Sequence, residues 1–198
     1  MGEIVKLSGL DDNQVNQAIT VFIEGFYNVF KIVSKDKEKL HKLFKHSFDY
    51  EMTYTYLLDG VAVGFLGLAT CQKRPIKINK EAFMDMLSGF AGNLVYKSMS
   101  AAIEKINVTD PDEICIDYIA TSPEHRSKGI GKKLIEYVRD NMGCKYIRLE
   151  VFSKNPRAKA FYERVGFKTV GAKFNLMLIL QGHGKPITMR IDVETNKR

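Results

Sequence analysis

The sequence predicts a mixed α/β (α+β) fold in one domain, on three observations. Residues 50–58 and 61–70 read as strands on either side of Asp59-Gly60, a two-residue hairpin signal. A strand-like run over 113–121 leads through a loop holding two glycines into a helix-like run over 132–142. Before the hairpin, Val15, Ile19, Phe22, Phe26 and Phe30 recur at helical spacing. The 198 residues, 45% of them hydrophobic, suffice for a sizeable core and exclude a disordered composition.

Taken in order, a short strand at 4–7 precedes a helix over 12–33, which Gly25 is expected to bend. A charged helix over 36–47 carries Leu40, Leu43 and Phe44 on one side. In the hairpin's return strand, Gly64 and Gly67 mark a bulge or the close approach of another group. Residues 80–106 read as helical, with Phe83, Leu87, Phe90 and Leu94 on one stripe and a break or kink at Gly89 and Gly92. That stripe reads as core packing. After the 132–142 helix, residues 146–151 form a strand. Asn155 is then a good N-cap, Pro156 suits the first helical position, and Gly166 suits the residue after the helix end, so a helix of about ten residues lies between. Residues 167–172 and 176–180 read as strands, and 186–193 closes the sheet.

The formal charge is +7, and basic surfaces attract phosphate backbones. Here the positive residues are spread along the chain, and the local excess at Lys128, Lys132, Lys133, Lys154, Arg157 and Lys159 falls in two motifs treated below. No nucleic-acid partner is expected. No apolar run approaches a membrane span, and the N-terminus lacks a basic start followed by an apolar stretch. Cys71, Cys115 and Cys144 are odd in number, widely spaced, and at no metal-ligand spacing with a His. The expectation is a cytoplasmic protein with reduced thiols, no metal and no membrane partner. His125 reads as a surface residue.

Arg126-Ser127-Lys128-Gly129-Ile130-Gly131 is the most informative stretch. A glycine-containing loop between a strand and a helix can turn several N–H groups towards one point, and the helix N-terminus adds its own unpaired donors. Together they suit a phosphate or pyrophosphate. A Walker A loop fails, because Arg126 stands where its first Gly belongs and Lys133 where its hydroxyl belongs. A Rossmann fingerprint fails because position 134 is Leu.

What remains, Arg-x-x-Gly-x-Gly after a strand, resembles motif A of the GNAT superfamily of N-acetyltransferases. The run from Asn155 through Tyr162 to Gly166-Phe167 resembles motif B of the same family. The resemblance covers residues 113–170. It implies a central twisted, mostly antiparallel sheet with a splayed parallel strand pair and helices on both faces. Residues 1–198 would form one such domain, with a helical insertion at 73–110 serving as core or as a lid over the acceptor.

The resemblance further implies acetyl-CoA as cosubstrate. Its pyrophosphate would be held by Arg126, Ser127, Lys128, Gly129, Ile130, Gly131 and Lys132, and its pantetheine arm by main-chain groups of Ile119, Ala120 and Thr121. Asn155, Ala158, Phe161 and Tyr162 of motif B complete the coenzyme site. The Ile119 N–H becomes an oxyanion donor and Tyr162 the acid for the departing thiolate. The base that takes the amine proton stays open. Glu113 and Asp117 share strand parity with Ile119 and Thr121, so their side chains are expected on one side. Glu150 lies on the neighbouring strand, and a water chain is a further option. The implied activity is direct acetyl transfer to a primary amine of a small molecule in a ternary complex. A protein N-terminus or lysine is the alternative acceptor, and a non-catalytic acyl-CoA-binding regulatory module is the alternative function. Phe26, Tyr27 and Phe30 are candidate acceptor walls. The oligomeric state, a homodimer included, is open.

Overall fold

The computed structural model describes residues 2–87 and 89–193. Its elements are Gly2–Lys6 (β1), Asp12–Phe30 (α1), Lys37–Lys45 (α2), Thr53–Leu58 (β2), Val61–Ala69 (β3), Lys80–Met86 (α3), Gly89–Ile103 (α4), Glu113–Thr121 (β4), Ile130–Asn141 (α5), Tyr146–Phe152 (β5), Pro156–Arg164 (α6), Lys168–Ala172 (β6), Leu176–Leu180 (α7) and Pro186–Asp192 (β7). The strands form one sheet in the order β1-β2-β3-β4-β5-β7-β6. Every neighbouring pair is antiparallel except β4–β5. The expected mixed sheet with one parallel pair is therefore present. No helix among the described residues is long and apolar enough to cross a membrane.

Helices cover both faces of the sheet. On one, Ile19 and Phe22 of α1, Leu40 and Phe44 of α2 and Phe83 of α3 pack with Phe65 and Ala120. On the other, Ile130, Leu134 and Val138 of α5 and Tyr162 of α6 pack with Leu66, Ile116, Ile147 and Leu149. Local chemistry sets the helix starts. Asp11 and Gln14 form a reciprocal capping box on α1, and Asp36 accepts two N–H groups at the start of α2. Gly25 serves close packing: a Cβ there would lie 2.6 Å from that of Ala120, so α1 rests directly on β4. A Cβ at Gly64 would likewise meet Ile130 at 2.9 Å, and a bulge follows Gly67.

Two expectations are overturned, that of a strand at 176–180 and that of an all-core stripe in 80–106, while the break expected at Gly89 is present. Residues 176–180 are a helix, because Asn175 caps the Leu178 N–H at 3.1 Å and β7, the next strand, pairs directly with β6. The 80–106 segment is two helices, with Gly89 at φ 84 opening the second. Ser88, which falls in that expected helix, lies outside the described residues, as do residues 1 and 194–198 of the expected domain. Its apolar stripe is not all core. Phe83 is fully buried, but Phe90 is 88% and Leu94 63% exposed.

Candidate active site

β4 and β5 pair only from Glu113↔Tyr146 to Ile116↔Leu149. Past that point β4 stays on β3 as far as Thr121, while β5 stays on β7 as far as Phe152. Each strand is held by its outer neighbour, so a gap opens between them. The Ser122 N–H donates to the Val63 carbonyl at 2.9 Å. Main-chain groups alternate sides along an antiparallel strand. Those of Ala120 and Tyr118 therefore also face β3, and those of Ile119 and Thr121 face the gap. The Thr121 carbonyl already accepts from Arg126 Nε at 3.5 Å.

The expected parity of the acidic side chains is wrong. The ladder jumps from Leu68↔Ile116 to Gly67↔Tyr118, leaving Asp117 as the extra residue of a bulge. Ile116 and Ile119 consequently pack on the α5 side, and Tyr118 and Ala120 on the α1 side. Glu113 and Asp117 face away from the side that carries Ile119 and Thr121.

Both carboxylates are held by arginines. Arg148 Nε donates to Glu113 at 2.7 Å, and its Nη2 to the Asn107 carbonyl at 3.0 Å. Arg74 Nε donates to Asp117 at 2.8 Å, and its Nη1 to the Lys105 carbonyl at 2.9 Å. Two arginines thus bind residues 105–107 to β4. Burial raises the Asp117 carboxyl above its ordinary value, against the lowering effect of Arg74. Burial and Asp117 together also push the Cys115 thiol up, so it stays protonated.

Glu150 stands differently. It is the first β5 residue beyond the last β4 pair, and it shares its face with Arg148. Its side chain is 31% exposed, accepts from Lys173 Nζ at 2.5 Å and lies 3.9 Å from Arg148 Nη1, a longer contact than the one Arg148 makes with Glu113. In the sequence it was one acidic residue on a neighbouring strand. Only the register places it at the mouth of the gap. Arg74 and Arg148 carried no signal beyond their charge, since their partners lie 43 and 35 residues away.

The loop after β4 has the shape its glycines suggested. Ser127 sits at φ 63 and Gly129 at φ 82, with open space where a Gly129 Cβ would point. No side chain caps α5, and its first turn holds no acidic residue. The N–H groups there are free to meet an anion, and the residues fit a pyrophosphate. Gly131 has a second role. A Cβ there would lie 3.2 Å from the Phe161 ring, so its absence lets α6 close on α5. Arg157 Nη2 donates to Ser127 Oγ at 3.3 Å across the same junction. Lys128 is exposed, and Lys132 pairs with Glu136 at 3.6 Å. Lys133 turns inward to Tyr56, at 3.0 Å from its hydroxyl. His125 Nδ1 lies 2.9 Å from Ser122 Oγ.

On α6, Asn155 accepts the Ala158 N–H at 3.1 Å and Pro156 occupies the first turn. The helix carries Tyr162 between Phe161 and Phe167, with ring centres 5.3 and 5.9 Å away. Burial pushes the Tyr162 phenol up to about 12. Among the described residues its hydroxyl makes no hydrogen bond, yet that oxygen is not sealed from solvent. Of the candidate acceptor walls, Phe30 is buried and Phe26 packs edge-on against Tyr118, so both belong to the aromatic cluster around Phe22. The Tyr27 hydroxyl donates to the Lys35 carbonyl at 2.9 Å.

Residues 20–167 match the Acetyltransferase (GNAT) family. The [ribosomal protein bS18]-alanine N-acetyltransferase of Salmonella typhimurium strain LT2 is 32% identical over 85 residues, covering 41% of this chain and 57% of that one. An N-alpha-acetyltransferase of Mycobacterium tuberculosis is 33% identical over 73 residues, covering 37% and 46%. This chain therefore spans about half the length of these two curated relatives. In fold, the ribosomal-protein-S18-alanine N-acetyltransferase of Escherichia coli superposes with a TM-score of 0.57 at 16% identity, over 100% of this chain and 97% of its own. With a family match across most of the chain, and both motifs flanking a parted parallel strand pair, this protein belongs to the GNAT acetyltransferase family.

Proposed function

We propose that this chain is an acetyl-CoA-dependent N-acetyltransferase, one domain with a helical insertion at 73–110, passing the acetyl group directly to a primary amine in a ternary complex. The observation that carries this reading is the β4–β5 gap. It is edged by the main-chain groups of Ile119 and Thr121 and ends at the uncapped start of α5. When bound there, acetyl-CoA supplies an activated acetyl thioester. The N–H groups of residues 127–132 hold its diphosphate with the Arg126 side chain beside them, since the Arg126 N–H is donated to the Pro123 carbonyl. Ala120 and Thr121 align the pantetheine arm along β4, and Asn155, Ala158 and Phe161 wall it from α6.

The chain's own groups then divide the proton work. The Ile119 N–H donates to the acyl oxygen as negative charge builds there, an effect whose loss elsewhere costs about 3–4 kcal/mol. An aliphatic ammonium, with a pKa near 10.4, must shed a proton before it can attack. Glu150 takes that proton, directly or through one water, because at 31% its side chain is the most exposed of the three carboxylates, against 13% for Glu113 and 4% for Asp117. As the C–S bond breaks, Tyr162 gives its phenol proton to the departing sulfur and is restored by the second proton that the new amide nitrogen sheds, directly or through water; burial keeps the phenol protonated until then.

A small-molecule amine is the first reading for the acceptor. The name of the Salmonella relative, an alanine N-acetyltransferase of a ribosomal protein, favours a protein N-terminal amine as the second. Thiol release from acetyl-CoA, screened over amino acids, polyamines, aminoglycosides and short peptides with free N-termini, tests both. Coenzyme binding without thiol release from any acceptor would leave a non-catalytic module as the better account.

A further inference from the structure

A cavity of about 570 Å³ lies beside β4, on the side where Arg74 meets Asp117. Lys73, Arg74, Lys77 and Lys80 line it, against the two carboxylates of Asp49 and Glu104. Both carboxylates are already engaged. Asp49 pairs with Lys73. Glu104 accepts the Ile78 N–H at 3.0 Å and the Ser100 hydroxyl at 2.5 Å. Arg74 is likewise spent on Asp117 and the Lys105 carbonyl. That leaves Lys77 and Lys80 with no carboxylate partner among the described residues. Lys80 Nζ instead rests 5.9 Å from the centre of the Tyr96 ring. Buried Phe48, Ile76 and Ile78 form the apolar part of the lining.

Lys77 and Lys80 are exposed along a partly apolar hollow whose four Lys and Arg side chains outnumber its two carboxylates, so the potential there is net positive. An anion would offset that excess, and an apolar body behind the anion would cover the Phe48–Tyr96 wall. We propose that this cavity binds a small organic anion, a carboxylate or phosphate carried on an apolar or aromatic body. Such an anion has two sources: the far end of the acceptor amine, or a separate effector whose occupancy is felt at β4 through Arg74. Only the first rests on the acetyl-transfer reading.

The test is calorimetric titration of the protein saturated with coenzyme A, so that the α5 cradle is already filled. Phenyl phosphate and benzoate are the probes, and phenol is the uncharged control. Both anions should bind and phenol should not. The double variant Lys77→Ala/Lys80→Ala should weaken phenyl phosphate about tenfold or more, with coenzyme affinity unchanged. Equal binding of phenol, unaltered affinity in the double variant, or no phenyl phosphate binding at millimolar concentration each overturns the proposal. Kinetics then separate the sources, using the amides of Ala-Glu and Ala-Gln as acceptors. If the anion is the acceptor's own, the double variant loses kcat/KM for Ala-Glu alone. If it is an effector, phenyl phosphate changes the rate with both dipeptides and the double variant abolishes that change. Failure of coenzyme A to bind would count against the acetyltransferase reading and leave the lysine cavity to be judged by its own probes.

Discussion

Arg74 places two guanidinium nitrogens on a single oxygen of Asp117, Nε at 2.8 Å and Nη2 at 2.7 Å. The pair is nearly sealed, with the Asp117 side chain 4% exposed. Removing one partner strands a buried charge. Arg74→Met should cost about 3–5 kcal/mol in urea unfolding, and adding Asp117→Asn should recover part of that. The pH dependence has a defined sign. The folded carboxyl is raised above its ordinary value, so its contribution is full below about pH 4 and is lost as pH climbs through the raised value. Without Arg74 the rise grows, and stability should decline over a wider range above pH 4 than in the wild type.

Glu150→Gln should lower kcat by about a hundredfold or more at neutral pH while coenzyme affinity holds. The deficit should narrow towards pH 10, where the amine arrives already deprotonated. A pH-independent deficit would remove Glu150 from the proton path. The equivalent Asp117→Asn change should disturb stability more than this pH profile.

Tyr162→Phe should cut turnover by about a hundredfold and leave coenzyme affinity within about twofold. With the phenol pushed up to about 12, the wild-type rate should show no loss from this group below pH 10. A loss setting in near pH 9 would assign the alkaline limb to another residue.

Gly129→Ala forces a side chain to φ 82 and should cost about 1–2 kcal/mol of stability. Gly131→Asp adds bulk against Phe161 and a negative charge at the helix start. Calorimetry should find its coenzyme binding abolished, with the far-ultraviolet spectrum unchanged.

In α3 and α4, two phenylalanines seven residues apart should behave oppositely. Phe83→Ala empties a fully buried site and should cost about 3–5 kcal/mol. Phe90→Ser lies on an open helix face and should stay within about 0.5 kcal/mol. Equal costs would mean that the outer face of α4 is covered in solution.

What the sequence disclosed, and what it withheld, follows from the range of the interactions involved. The hairpin at Asp59-Gly60, the cap at Asn155 and the loop to Gly131 are local, and each is written in adjacent residues. The bulge at Asp117 is not. It arises where β3 and β4 meet across a long connection, and one extra residue there reversed the inferred facing of two acidic side chains. The same holds for Glu150, whose placement comes from strand register. The apolar run at 176–180 misled because five consecutive apolar residues carry no period, and the Asn175 cap decided in favour of helix.

The parting of β4 from β5 has a mechanical side. Inside an otherwise continuous sheet it leaves two interior rims whose amide and carbonyl groups want partners, much as an outer edge does. A guest lying between them would serve as a stand-in strand, joining the β1–β4 half to the β5–β7 half. Occupancy should then stiffen the whole molecule, and melting temperature should climb with coenzyme concentration even where no acceptor is turned over.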